Sequence, residues 1–554
     1  MGSSRKIRRK QKTASGGGQL TMGYWAEETR KDEGHATQDK ARVVFNDPDP
    51  ITLFVGAQRL DEFLREMGFG YIFELRELLR SLDLSSFIAK YKSGGRQPYH
   101  PAGMLGLILL GIMEGKSSLR ELETMGRSDV RSWWLTGGVM PNYSVICRFI
   151  NGNAEELTED FFEQLTRQIL KRTSSAGRSV AVDGTVIQAA ASRYRTIKQE
   201  AAEQEAAEAR KKSQSSPDDK KLAERTAQAE RVTEVARERS EVRRKSGKKN
   251  TEAPVCPTEP DAVVQQLKTK AFAPAYKGSI AANDDRIITA NAVHPSSETA
   301  VVPKLIDQTE RVTEERVTEV LEDAGYHCTA LLNHALEHDI NILCPQGRTD
   351  TDDERWEKKS GKIFLKNRFH FDESNDVYIC PAGQRLERYY QYKGNAQNPA
   401  YIKYRCAACG DCSLHSRCTK SPNRAIKRYE EDEIKEAMRE VMKQPGARLR
   451  YKQRQAMVEP VYGEMKGIQN LTRFHRRSSS KVGLEFALHC TAHNIRRYIQ
   501  LQWRSALSIG RDRLADASEC LLFALYRAKS IERAIEWLRF SIPIHSPSLV
   551  SDAA

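Results

Sequence analysis

Two short apolar runs, far apart in the chain, each close on an acid. One is Val180-Ala-Val-Asp183, followed by Gly184 and Thr185. The other is Val320-Leu-Glu-Asp323, followed by Ala-Gly-Tyr326. Runs this short, bounded by turn formers, read as buried strands rather than helices. The stretches around them extend the pattern. Ala275–Ala282 and Arg286–Val293 read as a hairpin turning at Asn283-Asp284-Asp285. Glu298–Thr309 reads as a helix, Val317–Glu322 as a strand, Thr329–His338 as a helix and Asn341–Cys344 as a strand. That order predicts an α/β core, a mixed sheet flanked by helices. An acid at the carboxyl end of a strand points into the crevice where ligands sit in such sheets. For each aspartate the plainer alternative is a turn-forming residue beside a glycine.

The sheet is expected to be interrupted twice. Residues 193–260 are mostly Ala, Glu, Lys, Arg, Gln and Ser, which predicts a charged, solvated helical or disordered insertion. Residues 345–425 are rich in Tyr, Arg and Cys and form a second insertion. Ahead of the sheet, residues 51–175 carry helical periodicity. Leu60, Phe63, Leu64 and Met67 share one face, as do Leu105, Ile108, Leu109 and Ile112. The run Met104–Met113 is well short of the ~18 apolar residues of a membrane span and reads as a core helix. Ser117 and Ser118 before Leu119-Arg-Glu121 look like a capping box. A Gly turn at Thr136–Pro141 before Ser144–Ile150 fits either a helix-turn-helix DNA reader or a plain bundle. Residues 1–50 read as a flexible basic arm with Arg5, Lys6, Arg8, Arg9, Lys10 and Lys12, and no secretory apolar segment follows them. Residues 501–554 read as a helical C-terminal extension.

Lys and Arg number 88 against 74 Asp and Glu, a formal charge of +14, which favours a polyanionic partner. The run Tyr451-Lys-Gln-Arg454-Gln-Ala-Met-Val-Glu459-Pro-Val-Tyr-Gly-Glu-Met-Lys466 sets an acid among a tyrosine and cations. Asp183, Asp323 and Glu459 could together hold a pair of hard divalent ions, Mg2+ or Mn2+, for phosphodiester chemistry. The bland reading of Glu459 is a surface ion pair. Glu464 is the rival third acid. Because a residue before proline avoids helical geometry, a new helix is expected to start at Pro460 with Glu459 as its cap.

In this order and setting, Asp183, Asp323 and Glu459 resemble the DDE triad of bacterial insertion-sequence transposases. The C-terminal run resembles their Y-x2-R-x3-E-x6-K signature. Tyr451 and Arg454 keep the first gap and Glu459 and Lys466 keep the last, while the middle gap is one residue longer. Tyr99-His-Pro101 before an apolar helix is similar to the family's N-terminal domain, and the cysteines before Glu459 resemble the insertion-sequence group numbered eleven-eighty-two. The resemblance covers residues 50–500. It implies an RNase H-like catalytic domain over 176–500, an N-terminal DNA-binding domain over 51–175, and excision and strand transfer through two Mg2+ ions held by the triad. It further implies phosphate contacts from Tyr451, Arg454, Lys466, Arg473 and Arg476. DNA is the expected partner, as terminal inverted repeats and target, with a homodimer on DNA, no membrane, and a cytoplasmic, nucleoid-associated setting. A catalytically inactive or domesticated DNA-binding protein of the same fold stands as the alternative.

Of the 11 cysteines, five crowd together as Cys380 and Cys406-x2-Cys409-x2-Cys412-x5-Cys418, with His415 among them. Thiolates at x2 spacing can close a tetrahedral structural Zn2+ site. The set Cys380, Cys406, Cys409 and Cys418 is favoured, with Cys412 as substitute. An iron–sulfur cluster and five free thiols are the alternatives.

Overall fold

The computed structural model describes residues 43–245, 247, 250–346, 364–394 and 399–515, with side chains as far as 503. The basic arm up to residue 42, and the part of the expected C-terminal helix beyond 515, lie outside the described residues.

Residues 60–173 fold as helices. Ser118 and Glu121 form the expected capping box, so two orphan donors at that helix start are satisfied reciprocally. Helix α1 (Pro101–Met113) is buried at every position and sits at the centre of this layer. Helix α2 (Asp160–Thr173) ends the layer, with Ser174 in the left-handed region at its cap.

The central sheet contains β1 (Ser179–Gln188), β2 (Val263–Gln266), β3 (Phe272–Asn283), β4 (Ile288–His294), β5 (Glu319–Leu321) and β6 (Asn341–Leu343). Strands β1, β5 and β6 run parallel, and β3 is antiparallel to β1 along nine residue pairs. On its other edge β3 pairs with β2 and then β4, so the order is β2-β3-β1-β5-β6 with β4 also paired to β3. The parallel register Val180↔Val320 and Ala181↔Leu321 is the feature on which the site depends. Asp183 is not at a strand end, as the sequence suggests; β1 runs five residues further. Gly184 reads as a terminator, yet Thr185-Val-Ile-Gln188 keeps pairing with β3.

The first insertion is ordered. Helices α3 (Gln199–Ser215) and α4 (Lys220–Lys245) pack on each other through Ala202, Ala206, Val232, Thr233 and Ala236. Small residues let the two backbones approach, so the pair closes without a leucine stripe. Helix α5 (Val302–Thr313) starts four residues later than Glu298, and α6 (Thr329–Glu337) matches its expected span closely.

The second insertion is a separate antiparallel sheet of β7 (His370–Asp372), β8 (Val377–Ile379), β9 (Arg385–Tyr392), β10 (Tyr401–Arg405) and β11 (Ala425–Arg428), paired in chain order. From it the chain enters α7 (Asp432–Lys443), α8 (Pro445–Gly467) and α9 (Ser479–Ala515). Helix α8 is continuous through Pro460, against the expected restart. Proline has no N–H for the carbonyl four residues back, and Arg286 Nε donates to that carbonyl, Ala456 O, at 2.9 Å.

Helix α9 joins the two layers. Leu484, Leu488, Ala492 and Ile495 pack in the core of the N-terminal helices, while Val482, Phe486 and Cys490 pack in the core beneath the sheet. Asn494 completes the contact, accepting from Ile288 N at 2.8 Å and donating to Ile288 O at 2.8 Å. Among the described residues no helix is long and apolar enough to cross a membrane.

Candidate active site

The parallel register ends at Ala181↔Leu321, and two residues beyond it lie Asp183, still within β1, and Asp323, just past the end of β5. Asp323 has just left β5 and caps a short 3-10 turn, accepting from Gly325 N at 2.7 Å. One nitrogen serves both carboxylates: Arg454 Nη2 lies 3.0 Å from Asp183 Oδ1 and 4.0 Å from Asp323 Oδ2. Arg454 is buried, which departs from the expected role of a cation facing DNA. Burial pushes the Asp183 carboxyl up to about 6, against the pull of Arg454.

Helix α8 presents three edges, and they separate the acids of the signature. Its buried face holds Arg454, Met457, Val458, Val461, Tyr462 and Met465. At 100° per residue, Glu459 and Lys466 lie about 20° apart, on the edge next to Tyr462. The Tyr462 hydroxyl donates to Asp183 O at 2.8 Å or Gly278 O at 3.0 Å. Lys466 Nζ donates to Thr185 Oγ1 at 2.5 Å, and burial lowers its ammonium to about 8. Glu459 therefore shares an edge with two residues that reach β1 at Asp183 and Thr185. Its side chain is exposed and forms no ion pair among the described residues, and its carboxylate is not drawn into one tight ligand group with the two aspartates. Glu464 is on the opposite edge, buried against His493 Nδ1 at 3.0 Å and Arg496 Nε at 3.9 Å. Burial raises its carboxyl, but His493 and Arg496 beside it hold it below the usual range.

Other expected residues divide similarly. Tyr451 is half-buried beside Arg454 and Asp323, and burial raises its hydroxyl. Arg473 donates to Ala189 O at 3.2 Å and Ala191 O at 3.3 Å, beyond the far end of β1. Arg476 bonds Asn151 Oδ1 at 3.2 Å. These two arginines tie the fold together and are not gathered at the aspartates.

Three groups near the aspartates had no sequence signal of their own. Glu298 pairs with Lys277 at 3.0 Å and lies so close to Gly184 that a Cβ there would come within 2.5 Å of its Cγ. Glu322 precedes Asp323, is fully buried, and leaves both carboxylate oxygens without a hydrogen-bond partner, so burial raises it well above the carboxylate range. Tyr326 is buried with an unpartnered hydroxyl. The donors around Asp183 are carboxylate and hydroxyl oxygens, the chemistry that suits a hard divalent cation. Asp323 keeps a side chain 44% exposed, open to such an ion.

All five clustered cysteines and His415 line one cavity of about 20 Å3 in the second sheet, away from this oxygen set. Among the described residues, the one tight group of three potential ligands is His334, Glu337 and His338 on α6, so the thiols surround their cavity rather than converge on a point.

Two segments match known families. Residues 60–152 match a family model described as Transposase domain (DUF772), and residues 379–499 match one described as Transposase DDE domain. The first covers most of the helical layer, and the second runs from β8 through α8 into α9. No curated protein and no solved structure matches the chain significantly.

Proposed function

We propose, on the premise of two matched domains that support an insertion-sequence DDE transposase, that this chain cuts and joins DNA at Asp183, Asp323 and Glu459. The observation that carries the reading is the parallel pairing of β1 with β5, which sets Asp183 and Asp323 side by side at one arginine nitrogen. The succession β3-β1-β5-β6, with β2 and β4 both on the far edge of β3 and only β3 reversed, supports an RNase H-like core. Glu459, on the β1-facing edge of α8, is the better third acid, since Glu464 is occupied by His493 and Arg496.

Mg2+ or Mn2+ held by these carboxylates would activate the attacking oxygen and stabilise the leaving 3′ oxygen. The protein's own residues prepare that step. Arg454 neutralises the paired aspartates before DNA arrives. Tyr462 fixes α8 to the carbonyls of Asp183 and Gly278, which sets the height of Glu459 over β1. Lys466 and Tyr451 flank the site and supply a cation and a hydroxyl for phosphate oxygens. Water cuts at the ends of the element, and the freed 3′-OH attacks target DNA. Two ends must be joined together, so a homodimer assembles on the inverted repeats.

The test is cleavage of DNA carrying the ends that flank this gene, with Mg2+ or Mn2+. Wild type should free 3′-OH ends. Asp183→Ala, Asp323→Ala and Glu459→Ala should bind the same DNA without cutting it. Binding without cleavage by wild type would point to a silent DNA-binding protein of this fold. Normal cleavage by Glu459→Ala would displace that residue from the triad.

A further inference from the structure

The cysteines play no part in phosphodiester chemistry, yet the fold gathers them. Cys380 lies between β8 and β9, Cys406 and Cys409 follow β10, Cys412 lies on the loop after them, and Cys418 ends a one-turn helix (His415–Cys418) before β11. The Cys380 turn and the 406–418 segment, separated by β9 and β10, meet at one cavity. No disulfide joins the five, and a sixth ligand candidate, His415, turns its Nε2 to Ser421 O at 3.1 Å and Pro422 O at 3.4 Å.

Two thiols already sit in turns that direct backbone N–H groups at sulfur. Gln384 N donates to Cys380 Sγ at 3.3 Å, in a turn closed by Gly383 N to Cys380 O at 2.8 Å with Gly383 at φ 77°. Arg424 N donates to Cys409 Sγ at 3.4 Å. Backbone N–H groups turned toward sulfur are outer hydrogen bonds of the kind that orient a metal ligand. Arg424 also lines the cavity and donates to Cys418 O at 3.0 Å, so its charge would offset a thiolate-rich centre. Cys406 and Cys409 are buried, Cys380 lies beside Cys406, Cys418 lies beside Cys409 and Cys380, and Cys412 N donates to Cys409 O at 3.4 Å. The sheet has a small core of its own, eight buried side chains of which two are Cys406 and Cys409. A sheet with so little apolar interior gains most from a cross-link.

We propose that Cys380, Cys406, Cys409 and Cys418 hold one structural zinc ion in this cavity, with Cys412 outside the ligand set. Binding draws the four sulfurs inward by side-chain rotation. Each thiol gives its proton to water, and no oxidant or reductant takes part. The ion would pin the β8–β9 turn to the loops flanking β10 and β11. That sheet leads directly into α7 and α8, where the Lys366–Asp432 and Arg428–Glu436 pairs hold it against α7.

The experiment is elemental analysis of the full chain, purified under reducing conditions without added metal, followed by exchange with Co2+. About one zinc per chain is expected, and the cobalt form should show thiolate-to-cobalt charge-transfer bands with tetrahedral visible bands. Thiol titration of native wild type before and after chelation gives a readout that needs no variant: four of these five thiols should be protected first and reactive afterwards. Cys412→Ser should keep the metal, while Cys406→Ser and Cys418→Ser should lose it. Metal well below one equivalent with all five thiols reactive would overturn the proposal, as would an iron–sulfur absorption spectrum. Metal loss in Cys412→Ser with retention in Cys418→Ser would overturn the ligand set. None of these outcomes depends on DNA cleavage.

Discussion

Replacing Asp183 by asparagine is expected to make the metal-free protein more stable at neutral pH while abolishing DNA cleavage. Burial raises this carboxyl from 3.8 to about 6, so the fold prefers it protonated. A group raised in this way contributes stability that is fully present below pH 3.8 and is lost as pH rises through about 6. At 1.36 kcal/mol per pH unit, the ionised side chain costs the fold at most about 3 kcal/mol at pH 7.5. The side chain is only 19% exposed, so solvent screening removes little of this. Asparagine keeps the shape and discards the charge, but its weaker hold on Arg454 gives part of the gain back, leaving about 1–3 kcal/mol. Urea unfolding of wild type and Asp183→Asn, at pH 4.5 and 7.5 in a chelator, measures the difference. The variant should lead at pH 7.5, and the lead should shrink at pH 4.5. Adding Mg2+ should stabilise wild type alone. A variant that is less stable at pH 7.5, or a lead that does not change with pH, would refute the reasoning.

The two candidate third acids should separate by stability as well as activity. Glu459→Ala, at an exposed position, should change unfolding free energy by no more than about 0.5 kcal/mol, whereas Glu464→Ala should lose about 3 kcal/mol or more by removing the buried carboxylate that faces His493 and Arg496. Arg286→Ala should cost about 1 kcal/mol by freeing Ala456 O, and adding Pro460→Ala should recover most of it, because the helix then supplies its own N–H; a double-mutant cycle with no coupling would show that Arg286 does not replace the missing bond. Lys466, lowered by burial to about 8, loses its charge as pH rises through that value. Cleavage and DNA affinity should fall between pH 7 and 9 in wild type, and Lys466→Arg should flatten the fall.

The sheet was legible because its strands are short apolar runs punctuated by turn residues, and pairing follows from their order. Asp183 and Asp323 were legible as strand-associated acids, although Gly184 disguised the length of β1. It disguised it because a glycine within a strand and a glycine ending one look alike until the partner strand is seen, and here β3 pairs straight past it. Pro460 misled for a tertiary reason: its helix survives through a side chain about 170 residues away in the sequence, which no local rule contains. Helices α3 and α4 hold few large apolar residues, so a hydrophobic count reads them as unsupported, yet Ala202, Ala206 and Ala236 make a close seam around Val232. Glu298 and Glu322 stayed hidden because their significance is positional. One abuts Gly184 across the sheet, and the other is buried beside an acid that is not.

Arg454 is where the sequence signature and the geometry ask for different things, and the difference is informative. The signature implies a cation for DNA phosphates, while the structure buries it against Asp183 and leaves its Nε without a partner. A buried guanidinium with an unmet donor is costly unless something else comes within reach. A nearby Asp183 that prefers to be protonated and a nearby Glu322 with no partner are costly in the same sense. Such costs are concentrated where binding can relieve them. If Asp183 and Asp323 held divalent ions, Arg454 would no longer have to supply that charge, and its fork would be available to a phosphate at the same place. On this view the arginine serves the metal-free fold and the DNA complex in turn. Arg454→Lys, which keeps the charge and loses the planar fork, should then preserve folding better than it preserves cleavage. Equal losses in both would mean that the arginine is only a structural counter-ion.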